Sequence, residues 1–260
     1  MAGFMPLKEA AAMKEGLRVT GVPGLPGIWI VAVKNLYHAK KVPVIHVAHP
    51  TGDQEELYQL TAQRSNPTSW WADEAPRSSW LEQLHLAERL GSGPQLVPED
   101  PAARAEVIGL CHLALGSPGG LAYEKRNIMM GNSSSPFAIK YKVTDEMIKL
   151  APQRTVALLN HVHGVLEKQK AKGSNFLVGS SVTAADICWA SALVIVAPPG
   201  EELLPRHESG KGLIGAFGQN PPEVQSAITP LILEHQQLIL GDKELSDIPS
   251  MLEGTTNSYS

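Results

Sequence analysis

The chain has 260 residues, 43% hydrophobic and 18% charged, the composition of a soluble globular protein rather than a disordered or fibrous one. Its 22 basic and 26 acidic residues give a net charge of −4 with no Lys/Arg-rich run, which disfavours nucleic acid as a partner. No segment approaches the roughly 20 apolar residues needed to span a bilayer, and Cys111 and Cys188 sit in no C-x-x-C or metal-ligand spacing, so no membrane, no metal, no structural disulfide and a cytoplasmic location are expected.

Residues 1–16 read as a short amphipathic or frayed leader, and Glu9 and Glu15 argue against a secretory signal. "LRVT" (17–20) is a strand, and "GVPGLPG" (21–27) is a turn too rich in Gly and Pro for helix or strand interior. Apolar residues at Ile28, Val31, Leu36 and Tyr37 have helical period and end on Lys40 and Lys41, as a helix C-terminus favours. "VPVIHVAH" (42–49) returns as a strand, so the opening unit is strand, helix, parallel strand. A short helix over 53–63, a strand at 68–72 with Trp70 and Trp71 on opposite faces, and a helix over 78–91 with Ser at its N-cap and Gly91 past its end follow. The Asn66-Pro67 bond, ahead of a strand, is a candidate cis peptide.

"SGPQLVPEDPAA" (92–103) has three prolines and no periodicity, and reads as an interdomain linker. Helical spacing then covers 102–115, about 119–130, 144–172, 183–197 and 221–240, interrupted by a Gly/Pro-rich insertion at 197–220. The last residues read as a disordered tail. Cys111 and Cys188 fall on helices as small core residues, and His161 and His163, two apart, do not share a helix face.

Thr183 and Asp186 have the spacing of a capping box, which by itself marks only a helix start. Its surroundings, "FLVGSSVTAADI" (176–187), resemble the "FLxGxxxTxAD" segment of cytosolic glutathione transferases, with Gly179, Thr183, Ala185 and Asp186 at the matching positions. "VPGLPGIW", "DEAPRSSWLEQLHLAERL" and "GGLAYEKR" are similar to segments of bacterial-type transferase-like proteins, and the resemblance covers most of 17–195. It implies α/β followed by all-α: a thioredoxin-like glutathione-binding domain (17–91), a linker (92–101) and an all-helical domain (102–250), with a leader (1–16) and a tail (251–260).

The resemblance further implies glutathione as co-substrate, its thiolate attacking a small hydrophobic electrophile in a transferase, lyase or isomerase reaction, and a homodimer pairing the first domain of one subunit with the helical domain of the other. Asn66 and Pro67 map onto the backbone that pairs with the cysteinyl part of the tripeptide, and Ser78 or Ser79, with Ser78 favoured, onto the helix N-terminus that receives the γ-glutamyl carboxylate. Arg77 stands where the family has Glu or Gln; it is either a second carboxylate contact or the sign of an offset in which Asp73 and Glu74 bind the γ-glutamyl amine. Trp29 and Tyr123 map onto the electrophile pocket.

The thiol activator departs from the pattern, because "TGVPGLPGIW" holds only the hydroxyl of Thr20, and Leu25 stands about where a catalytic Ser or Cys is expected. Three possibilities stay open: Thr20 acts, the helix N-terminus after Pro26 stabilises the thiolate, or the protein is a non-catalytic binding or scaffold module of the same fold.

Overall fold

The computed structural model describes residues 3–49 and 54–255. The chain divides into two compact units, Met1–Gln95 with Gly200–Leu213 and Leu240–Ser260, and Leu96–Pro199 with Ile214–Ile239. In chain order the elements are β1 (Met5–Pro6), α1 (Leu7–Ala12), β2 (Leu17–Gly21), α2 (Ile28–Ala39), β3 (Val44–Ala48), α3 (Glu55–Thr61), β4 (Ser69–Trp71) and α4 (Trp80–Leu90). Next come α5 (Pro101–Leu115), α6 (Leu121–Met130), α7 (Pro136–Tyr141), α8 (Asp145–Lys170) and α9 (Ala184–Leu193). The chain ends with α10 (Glu208–Ala216), α11 (Pro222–Ala227), α12 (Pro230–Gly241) and α13 (Ile248–Glu253). No helix among the described residues is long and apolar enough to cross a membrane.

The first unit is built on a four-stranded mixed sheet in the order β1-β3-β2-β4. β2 and β3 are parallel, from Leu17 opposite Val44 to Gly21 opposite Ala48, and β4 runs antiparallel to β2. Strand alternation gives the sheet two apolar faces. Leu17, Val19 and Val44 pack with Val33 and Tyr37 of α2 and Leu86 and Ala87 of α4. On the other face Val47 and Trp70 pack with Leu7 and Ala10 of α1 and Leu57 of α3. Trp71, on the opposite face of β4 from Trp70, lies against the α2/α4 cluster.

The leader expected at 1–16 is structured where it is described. β1 adds to the open edge of β3, and the buried Arg18 guanidinium donates to the carbonyls of Ala10, Met13 and Ala72. Arg18 thus satisfies carbonyls at the end of α1, a cap from across the fold that no local pattern announces. The tail is corrected in the same way. Residues 248–253 form α13, whose Ile248, Met251 and Leu252 are buried, while 256–260 lie outside the described residues. Residue 53, in the helix expected over 53–63, also lies outside them.

The start of the linker is pinned rather than loose. The N–H groups of Ser92 and Gly93 donate to the Lys40 carbonyl, and Lys40 Nζ donates to the carbonyls of Gly93 (3.2 Å) and Pro94 (2.8 Å) and pairs with Glu88 (3.3 Å).

In the second unit α9 is buried along its whole length, packing with α5, and α6 packs with α8. Cys111 and Cys188 are fully buried and unbridged, and burial together with the neighbouring Cys188 pushes the Cys111 thiol upward. The helix expected over 221–240 is two helices, because Pro230 has no N–H to continue the ladder. The insertion read at 197–220 contains α10, and α7 opens on a Ser135 N-cap with Pro136 behind it, a short signal that periodicity over a longer window misses.

Thr183 and Asp186 form the capping box, and the carboxylate does more than cap. Oδ2 accepts from the Thr183 N–H (2.8 Å) and hydroxyl (2.9 Å), and Oδ1 accepts from the Leu177 N–H (2.7 Å) and His235 Nε2 (2.9 Å).

Candidate functional site

Three segments meet at one edge of the first unit: the crossover loop 22–27 after β2, the Asn66–Pro67 turn before β4, and the N-terminus of α4. β2 holds the first two together. Thr20 N–H donates to the Thr68 carbonyl (2.9 Å), and Thr68 N–H donates to the Thr20 hydroxyl (2.8 Å). Thr20 is fully buried in this tie.

The Asn66–Pro67 peptide bond is cis, as is Ser117–Pro118. Asn66 Oδ1 is buried with no hydrogen-bond partner, an acceptor left open beside Pro67.

Gln83, fully buried, links this turn to the helix behind it. Its Oε1 accepts from the Ser69 hydroxyl, and its Nε2 reaches the carbonyls of Pro67 (3.4 Å) and Ser79 (3.4 Å). Sequence reasoning passed over Gln83; the available signal is a polar residue on the stripe it shares with Leu84 and Ala87.

At the start of α4 the N-cap residue is Ser79, not Ser78, and its hydroxyl makes no capping bond. The first-turn donors of α4 therefore lack the cap that a Ser commonly supplies. Ser78 is half-buried one residue ahead. Arg77 pairs through its backbone with Ser69 (2.8 and 2.7 Å), which places the loop beside β4. Its guanidinium pairs with Glu74 (2.6 Å), which Arg89 also holds (2.7 Å). Hydrogen bonds from Arg77 and Arg89 keep the Glu74 carboxyl below the usual range. With two guanidinium partners, Glu74 is poorly placed to receive an ammonium group.

In the crossover loop Leu25 N–H donates to the Val22 carbonyl (3.1 Å), and the Leu25 carbonyl accepts from Gly27 (2.9 Å), a tight double turn with an apolar side chain. Gly27 is the N-cap of α2 and offers no side-chain cap. Trp29 is half-buried in the first turn of α2. In the second unit Tyr123 is buried beneath the Arg126 guanidinium, which also lies over Tyr141, at 4.3 and 4.1 Å from the two ring centres. Such stacking takes up the face of the Tyr123 ring.

Behind β2 lies a second polar group that sequence reasoning missed. Lys34 Nζ is 2.7 Å from His46 Nδ1 and 5.2 Å from the centre of the Phe4 ring, with no carboxylate paired to it among the described residues. Burial lowers the Lys34 ammonium to about 7. Burial, then the Lys34 charge, lowers His46 to about 3.

No family model and no curated protein matches the chain. Solved structures do. A glutathione S-transferase domain-containing protein from Marinobacter aquaeolei VT8 superposes with a TM-score of 0.64 at 14% identity, covering 88% of this chain and 100% of its own. A glutathione S-transferase from Methylobacillus flagellatus KT with glutathione bound gives 0.57 at 16% identity, covering 84% and 98%. A maleylacetoacetate isomerase from Methylobacterium extorquens AM1 with malonate and glutathione bound gives 0.51 at 18%, covering 85% and 96%. At these identities the likeness is one of fold: a thioredoxin-like α/β region followed by helices. The chain carries a glutathione S-transferase-like fold.

Proposed function

We propose that the protein is a glutathione-dependent transferase, or a lyase or isomerase variant, in which a bound glutathione thiolate attacks a small hydrophobic electrophile. The observation that carries this is the α4 N-terminus, whose Ser79 cap residue makes no capping bond, held by Gln83 beside the open acceptor Asn66 Oδ1. The γ-glutamyl carboxylate sits at that helix end, where N–H groups and the Ser78 and Ser79 hydroxyls meet an anion with the favourable end of the dipole. The Asn66 backbone and Oδ1 receive the cysteinyl amide groups. Thr20, its hydroxyl buried in the tie to Thr68, serves as a structural link, and the N-terminus of α2 contributes positive potential near the sulfur. Trp29, half-buried in the first turn of α2, lines the electrophile side.

Calorimetry with reduced glutathione tests the reading. The wild-type protein is expected to bind, and the Ser78→Ala/Ser79→Ala double variant to bind about 10- to 100-fold more weakly, the loss of charge-assisted hydrogen bonds worth about 1.5–3 kcal/mol. Absence of wild-type binding up to millimolar glutathione overturns it. A second reading, a binding or scaffold module without chemistry, draws on a crossover loop with no hydroxyl or thiol of its own. Glutathione binding with no conjugate formed from a generic electrophile would select it.

We further propose a cytoplasmic homodimer. Tyr58 and Leu60 of α3 and Phe137 and Ile139 of α7 are exposed apolar side chains, one set in each unit, and Ile139 is 66% exposed. Pairing one set with the other across a two-fold axis buries both. Sedimentation at micromolar concentration is expected to show a dimer, and a Phe137→Asp/Ile139→Asp variant a monomer; an unchanged dimer in that variant removes α7 from the interface.

A further inference from the structure

The crossover loop lacks a reactive side chain, but the first unit brings one to it from far downstream. Residues 207–210, at the start of α10, seat directly on the loop. The Ser209 hydroxyl donates to the Pro23 carbonyl at 3.1 Å. Gly24 has φ of +69°, and a Cβ built there would overlap the Ser209 hydroxyl and lie 3.1 Å from His207 Cβ and 3.5 Å from His207 Cγ. A Cβ at Gly210 would in turn lie 2.5 Å from the Gly24 carbonyl oxygen and 3.2 Å from Pro26 Cδ. Two glycines therefore permit this approach, and Gly24 N–H is held from the other side by the Leu252 carbonyl at 3.0 Å. His207 is half-buried, and its Nε2 is buried with no hydrogen-bond partner, an orphaned imidazole nitrogen at the loop where the thiol is expected.

We propose that His207 is the thiol-activating residue that the crossover loop does not itself carry. The inference rests on the glutathione reading above. The neutral imidazole takes the thiol proton at Nε2: the S–H bond breaks, an N–H bond forms, and the electron pair stays on sulfur. The resulting imidazolium holds the thiolate by charge, as a neighbouring His⁺ does for reactive cysteines. When sulfur bonds to the electrophilic carbon, the proton passes to the carbanion formed by addition, or to solvent when an anionic group leaves.

Of the other ionisable groups near this place, Lys34 Nζ would lie 3.3 Å from a Cβ built at Gly21, at the head of the loop, and is held beside His46 Nδ1 at 2.7 Å. The loop 22–27 contributes no ionisable side chain. On the segment itself Arg206 lies 3.9 Å from Glu201, and the exposed Glu208 pairs with Lys211 at 3.3 Å. The segment around Leu252 adds only Glu253, which is exposed.

The test is an ultraviolet titration of the thiolate of glutathione bound to the full-length protein. In the wild type the bound thiol is expected to ionise at least one pH unit below the roughly 8.5 of an ordinary thiol. In His207→Ala and in the closer-sized His207→Gln it returns toward that value, an approximately tenfold smaller thiolate fraction near neutral pH, with glutathione affinity changed less than about threefold. His207→Gln carries the comparison if the alanine variant fails to fold by circular dichroism. Ser209→Ala separates imidazole chemistry from seating of the segment and is expected to leave the titration where it is. The same curve in wild type and both His207 variants, or an equal shift in Ser209→Ala, overturns the proposal while the glutathione reading stands. No binding by the wild type instead removes the reading on which it rests.

Discussion

Replacing Asp186 with alanine is expected to cost about 3–5 kcal/mol of folding stability, because it strips one buried carboxylate from several donors at once. The residue is fully buried, and its two oxygens receive the N–H groups of Leu177 and Thr183, the Thr183 hydroxyl and His235 Nε2. Once it is gone, the buried N–H groups of Leu177 and Thr183 and the buried imidazole of His235 lose their acceptor. Ordinary loss of a cap costs about 1 kcal/mol; the excess reports the links to Leu177 and His235. His235→Ala, which removes one donor and leaves three, is expected to cost clearly less. Urea unfolding of the two variants checks the order, and an Asp186→Ala cost under about 1 kcal/mol would show that the box acts only as a local cap.

The second large effect concerns pH. Lys34 is buried with no carboxylate partner among the described residues, and burial lowers its ammonium from 10.5 to about 7. The folded state therefore disfavours the proton that the unfolded chain keeps up to about 10.5. Below about pH 7 both states are charged and the full penalty applies, ~5 kcal/mol for a shift of this size. As pH rises from 7 toward 10.5 the folded state releases its proton first and stability recovers. Lys34→Met is expected to remove the penalty, so that it gains most over wild type at pH 6–7 and least at pH 10. Its excess stability should shrink by up to ~1.4 kcal/mol per pH unit within that window. Taking the difference between the two proteins cancels other groups that ionise there, including tyrosines and the cysteines. His46, lowered from 6.5 to about 3, acts in a separate window and weakens the fold as pH falls through 6.5. Denaturant midpoints at pH 7, 8 and 9 check the slope; parallel curves for the two proteins would show that Lys34 reaches solvent.

How far the sequence carries the argument differs between elements for a physical reason. β2, α2, β3 and α5 are legible because each declares itself within about a dozen residues, through strand-like apolar runs or a 3.6-residue apolar period. The candidate site was legible only in part. Asn66, Pro67 and the serines at 78 and 79 could be located, but that Ser79 rather than Ser78 is the cap residue, and that Arg77 is engaged with Glu74, depends on side-chain geometry across the loop. Gln83 reads in sequence as an ordinary helix residue, and only the fold sets its amide between Pro67 and Ser69.

By itself the sequence determined the α/β beginning, the helical remainder and the capping box at 183–186, since these arise from hydrogen bonds and apolar periods among near neighbours. Tertiary structure decided the rest. It returned 200–213 and 240–260 to the first unit, ordered α1 through Arg18, buried Thr20 against Thr68, sealed Lys34 beside His46 and set His207 on the crossover loop. Each of these joins residues remote in the chain, and a local pattern carries no information about which distant group will satisfy a buried donor or fill the space above a glycine.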